Sequence, residues 1–208
     1  MCITTSSYMR QNDPVERVMS RPRSVALSLM LALVLSLWAA GTTHALAVQG
    51  ERVPAIEALA QQGWQPLGSG ALRWFGLRIY EATLWAPDPV SWQEGGAFAL
   101  AIAYERSISS DRLVKATEDE MLRLGLADAA RIATWRPVLE QAFPDVSPGD
   151  VIVGIHRPGE GVFFHYGDRP SGIVTDPDFA TAFFAIWLDE RTREPGLRAR
   201  LIGDRTDG

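Results

Sequence analysis

Cysteine is almost missing from this chain of 208 residues: the single copy is Cys2, at the extreme N-terminus. A disulfide framework, a thiolate metal cluster and a cysteine nucleophile in the downstream domain are therefore excluded. Lysine is equally scarce, with Lys115 the one copy, and cations do not dominate. The 20 Lys and Arg residues face 25 Asp and Glu, a formal net charge of −5, so no basic excess points to nucleic acid. No phosphate-cradling loop occurs between strand and helix, because Gly68-Ser69-Gly70 leads into strand-like sequence. No serine elbow is present either. Nothing in the sequence implies a cofactor.

What is present begins with an address. Arg17, Arg21 and Arg23 precede an uncharged run from Val25 to Ala40. That run is shorter than the roughly 20 residues of a membrane span. Ala45-Leu46-Ala47 then supplies the small-x-small pattern of a signal-peptidase site. The expectation is a signal peptide over residues 1–47, cleaved between Ala47 and Val48, and one mature domain over residues 48–208. Residues before Arg21 read as an over-extended frame, with Met9 or Met19 as candidate starts. The expected location is periplasmic or secreted, with membrane contact only through the signal peptide before cleavage. Removing 47 of 208 residues leaves a chain without cysteine, suited to an oxidising compartment.

Hydrophobic periodicity orders the mature chain as α-β-β-β-α-α-β-β-β-α-α. A short helix over 53–62 ends at Gly63. Two strands, 64–74 and 75–85, meet at Trp74-Phe75-Gly76, which allows a tight turn or bulge. The strand 97–104 sets Phe98, Leu100, Ile102 and Tyr104 on one face and Ala97, Ala99, Ala101 and Ala103 on the other. The alanine face leaves room for a close-packed helix or a cavity. A helix from Ser109-Ser110-Asp111 to Leu124 carries Leu113, Thr117, Met121 and Leu124 on one stripe, with Asp111–Lys115 and Asp119–Arg123 as candidate ion pairs. Asp128 caps the next helix, where Pro137 predicts a kink or break. The hairpin 151–157/161–166 is read with Val162, Phe164 and Tyr166 on the face of Val151, Val153 and Ile155. Asp176-Pro177 opens a helix with an N-cap acid and proline at the first helical position. Consecutive strands predict an antiparallel sheet with helices collected on one face, an α+β domain.

Few residues carry chemistry. His156 and His165 share a face diagonally only if Arg157 faces Val162; with no acid at ligand spacing, no metal site is assigned. Arg78 and Tyr80 share one face of their strand, Arg73 joins them if a bulge at Gly76 shifts the phase, and Tyr104 and Arg106 alternate onto one side. An arginine directed into an aromatic, alanine-floored cavity is a carboxylate receptor. The competing expectation pairs the arginine with Glu81 or Glu105 at the surface.

The stretch from Gly68-Ser69-Gly70 through Arg73 to Arg78-Ile79-Tyr80-Glu81-Ala82-Thr83-Leu84-Trp85 resembles the opening of bacterial chalcone isomerase-like proteins. The Phe143–Gly149 turn, and the run from Gly172 to Trp187 and Leu188 with Leu197, Leu201, Ile202 and Gly203, resemble the rest of that family's pattern. The resemblance implies an open-faced β-sandwich, an antiparallel sheet with helices layered on one face and a ligand cleft between. It implies either intramolecular lyase chemistry on a chalcone or non-catalytic binding of a fatty acid. Catalytic members need an arginine, matched by Arg73, and a tyrosine whose position falls at Leu113 or Arg112. Their asparagine falls near Glu120 and their threonine near Ser171. The catalytic set is mostly missing. The reading is thus a non-catalytic protein binding a small apolar or fatty-acid-like ligand through Arg73, Arg78, Tyr80, Tyr104, Arg106 and Ser171. An isomerase and a structural or partner-binding module are the alternatives.

Overall fold

A computed structural model describes residues 53–93 and 95–204. The expected signal peptide and its Ala47/Val48 junction lie outside the described residues.

The elements follow the expected order: α1 (Pro54–Gln61), β1 (Gln65–Trp74), β2 (Leu77–Ala86), β3 (Phe98–Tyr104), α2 (Ser110–Leu124), α3 (Ala129–Ala142), β4 (Val151–Arg157), β5 (Gly161–Tyr166), β6 (Arg169–Val174), α4 (Pro177–Leu188) and α5 (Pro195–Leu201). The six strands form one antiparallel sheet in the order β1-β2-β3-β4-β5-β6. Every strand pairs with its sequence neighbour, the arrangement that hairpin-rich sequence favours. None of the described helices is long and apolar enough to cross a membrane.

The main core lies between the sheet and α2–α5. Leu84, Leu100, Ile102 and Phe164 point from the strands toward Val114, Met121, Leu139, Phe179 and Phe183. Phe164 stands edge-on to Phe143, Phe179 and Phe183, with ring centroids 5.3, 6.0 and 5.2 Å away, the geometry that ring quadrupoles prefer. The helix starts use local chemistry. Asp128 accepts from Arg131 N at 2.8 Å and Asp176 from Asp178 N at 3.1 Å. The α2 start is capped from outside, by Asp145 Oδ1 on Ser110 N at 2.8 Å; the Ser109 side chain makes no cap hydrogen bond.

The opposite sheet face also carries a helix. Val53, Ala55 and Leu59 of the α1 region pack on Ala99, Ala101, Val153 and Ile155. The alanine face therefore receives a close-packed helix, one of the two outcomes its small side chains allow.

Several local expectations are corrected. Pro137 lies inside a continuous α3, so it removes a hydrogen bond without ending the helix. Lys115 pairs with Asp119 and Arg123 with Glu120, in place of the expected Asp111–Lys115 and Asp119–Arg123 pairs. In the β4–β5 hairpin, Arg157 faces Gly161 and His156 faces Val162. That is one residue off the expected register, and a slip of one exchanges faces. His156 therefore shares a face with Val162 and Phe164, while His165, opposite Val153, lies on the α1 side.

Gly68 and Gly70 serve packing. A Cβ at Gly68 would collide with the carbonyl oxygens of Arg200 and Leu201, and one at Gly70 would lie 2.8 Å from Leu197 Cδ1. The Gly-x-Gly pair is the seat on β1 for α5.

A candidate ligand cavity between sheet and helices

A cavity of about 320 Å³ opens between the sheet and helices α2, α4 and α5. Its floor is Leu100, Ile102 and Tyr104 of β3 with Ile152 of β4, and its walls include Leu113, Phe183 and Trp187. The floor is thus the large-residue face of β3; the alanine face is already covered by α1. The volume is at the low end of the roughly 300–1,000 Å³ typical of small-molecule pockets.

Two of the six expected ligand residues line it. Tyr80 on β2 and Tyr104 on β3 are Cα partners, and their rings meet edge-on at 6.1 Å. Tyr80 Oη accepts from Trp187 Nε1 at 2.9 Å, which leaves its own proton free to donate. Burial pushes the Tyr80 phenol up to about 12, against the relief given by the indole hydrogen bond; Glu194 and Glu120 add to the rise. Burial also raises Tyr104, whose hydroxyl has no hydrogen-bond partner among the described residues. Both stay neutral donors at ordinary pH.

The other four expected residues stand elsewhere. Phe75 and Gly76, at φ of 47° and 79°, form a tight turn between β1 and β2. The register shift falls between Leu72 and Arg73, opposite Ile79. It makes Arg73 and Arg78 direct cross-strand partners and leaves Leu72, Ile79 and Tyr80 lining the cavity. Arg73 is exposed and donates weakly to the Gly76 carbonyl at 3.4 Å. Arg78 pairs with Glu81 at 2.7 Å and Glu105 at 3.0 Å, the competing arrangement anticipated from sequence. Arg106 Nε donates to the Arg78 carbonyl at 3.3 Å. Ser171, on β6, has a buried hydroxyl without a partner and does not line this cavity.

The charged groups at the cavity come from α2 and the α4–α5 connection. Arg112, Glu120, Arg193 and Glu194 are all in its lining. Glu120 is held by Arg123 and Arg193, each at 2.8 Å. Arg112 is exposed and makes no ion pair among the described residues. Thr117 and Thr192 also line the space, but their hydroxyls donate to the carbonyls of Leu113 and Ile186. Arg112, Leu113 and Glu120 occupy the positions that the family resemblance gave to a catalytic tyrosine and asparagine. The family pattern, which puts functional residues at those positions, was the available signal. Trp187 carried no such signal; its partnership with Tyr80 spans 107 positions.

The sequence model of the chalcone isomerase-like family matches residues 45–203, and the chain belongs to that family. An uncharacterised protein of Haemophilus influenzae (strain Rd) is 28% identical over 144 residues, covering 67% of this chain and 68% of its own length. The crystal structure of an Arabidopsis thaliana fatty-acid binding protein superposes with a TM-score of 0.51 at 11% identity, covering 67% of this chain and 87% of that one. The latter likeness establishes the fold, an antiparallel sheet with its helical layer.

Proposed function

We propose that this chain is a non-catalytic binding protein for a small, mainly apolar ligand with one oxygen-bearing head, of the fatty-acid class. The observation that carries the reading is the composition of the cavity. Aliphatic and aromatic walls enclose two neutral tyrosine hydroxyls with protons to donate, and Arg112 is the lining cation without a carboxylate. Each methylene buried there contributes about 0.8 kcal/mol, and a carboxylate head takes charge-assisted hydrogen bonds. The fatty-acid binding function of the Arabidopsis neighbour supports the ligand class. Leu113 and Arg112 stand where catalytic relatives need a phenol, which supports binding without turnover. The basic, apolar, Ala-x-Ala-type N-terminus supports an exported protein whose mature chain starts at Val48.

A chain-length series of fatty acids, titrated against a fluorescent analogue, tests the ligand. Short and medium chains are expected to bind more tightly than long ones, given the volume. Arg112→Ala should weaken binding by about tenfold, the equivalent of 1.4 kcal/mol, and Arg73→Ala should leave it unchanged. Absence of binding across the series, or a measurable acceleration of chalcone cyclisation, would overturn the reading. Sequencing the N-terminus of protein from the periplasm tests export; a chain still containing Arg23 refutes cleavage after Ala47.

A further inference from the structure

The β1–β2 turn exposes three large apolar side chains in four residues. Phe75 is 87% exposed, Trp74 67% and Leu77 53%, and the Trp74 and Phe75 rings stack at a tilt with centroids 5.0 Å apart. Other exposed large hydrophobics, such as Val90, Leu122 and Ile173, are scattered singly. Phe75 is also the one non-glycine residue at positive φ among the described residues. An Asn-Gly pair makes such a turn without strain, whereas a bulky residue there is a genuine outlier. A strained, solvent-facing aromatic at a protruding tip has no folding rationale in this structure.

The surroundings indicate what the tip meets. Arg73 and Arg106 flank it with no carboxylate partner among the described residues, while Arg78 is shared by Glu81 and Glu105, so these three arginines and two glutamates leave a net positive charge beside the tip. A four-residue tip offers far less than the roughly 800 Å² per partner of a stable protein interface. It is well shaped to enter a lipid headgroup layer, where tryptophan and phenylalanine are favoured and arginine binds phosphate. Just inside the tip, Leu72 and Ile79 line the ligand cavity.

We propose that the Trp74–Leu77 turn is a lipid-docking tip that inserts into the headgroup region of an anionic membrane surface, bringing the Leu72–Ile79 side of the cavity close to a source of apolar ligand. The docking rests on the hairpin alone and does not depend on the identity of that ligand.

Sedimentation of the mature protein with phosphatidylcholine vesicles, with and without phosphatidylglycerol, tests it. Binding is expected to be stronger on the anionic vesicles and to weaken as salt is raised. Trp74→Ser/Phe75→Ser should reduce the vesicle partition coefficient by at least about tenfold. Neither residue lines the cavity, so the variant should retain wild-type unfolding behaviour and fatty-acid affinity in solution. Arg73→Glu/Arg106→Glu should abolish the preference for anionic vesicles. Wild-type protein that stays in the supernatant with both vesicles, or a serine variant that sediments equally well, overturns the proposal. So does a wild-type dimer on gel filtration that the serine variant dissolves, without vesicle binding, because the tip would then be a protein contact. Vesicle binding without fatty-acid binding would refute the ligand reading and leave the docking intact.

Discussion

The two faces of the sheet are built from opposite kinds of residue. Toward α1, Ala99 and Ala101 let the helix approach closely, and Val53, Ala55 and Leu59 fill the layer. Toward α2–α5, the layer is filled by the bulky side chains of Leu100, Ile102, Tyr104 and Phe164. Large residues fill most of that side but leave the cavity, because rigid aromatic and branched shapes do not tile every gap. Small residues thus produce a close contact and large ones a cavity, the reverse of the intuition that alanine makes room.

The comparison breaks most severely if the aromatic centre is removed. Phe164→Ala takes away a ring that is 1% exposed and touches three other phenylalanines. Urea unfolding should show a loss of about 3–5 kcal/mol; a loss below about 1 kcal/mol, the usual value for an unremarkable site, would mean the core collapses around the gap.

Alkaline pH should act on the cavity side through Tyr80. The folded-state value of Tyr80 is about 12 against an ordinary 10.0, so the folded protein keeps its proton longer than the unfolded chain. The stability this provides is complete below pH 10 and is lost as pH rises toward 12, to the extent of about 3 kcal/mol for two pK units. Unfolding midpoints measured across that window should fall, with less decline in Tyr80→Phe. A flat profile would show the phenol to be solvated.

The finest test adds atoms to each face. Ala99→Leu should cost about 1–3 kcal/mol, since nothing beneath α1 can move aside. Leu113→Phe, projecting into the cavity, should change stability by less than about 0.5 kcal/mol while blocking fatty-acid binding. Equal costs for the two would erase the distinction between the faces.

The element order and both strand-parity assignments on β3 were legible because they depend on local periodicity. The strand faces that carry Tyr80 and Tyr104 to the cavity lining were legible for the same reason. The placement of Arg73 was not, because it depends on where one extra residue enters the β1–β2 ladder; the bulge formed at Ile79, leaving Phe75-Gly76 to make the turn. The β4–β5 register failed similarly, since both faces of that hairpin are apolar and alternation cannot choose between them. The break expected at Pro137 does not occur, because tertiary contacts hold α3 together through Trp135, Leu139 and Ala142, all buried. Arg112 was legible only as a departure from the family pattern, its position at the cavity being set by the docking of α2.

The seat formed by Gly68 and Gly70 has a consequence in time. It lies on the first strand, and the helix it receives begins at Pro195. During synthesis β1 therefore waits for α5, and the inner side of the first hairpin stays uncovered until more than a hundred further residues have emerged. Local strand pairs can form as they appear, but the closing step joins the two ends of the domain. The first strand therefore gains its covering helix only when synthesis is nearly complete.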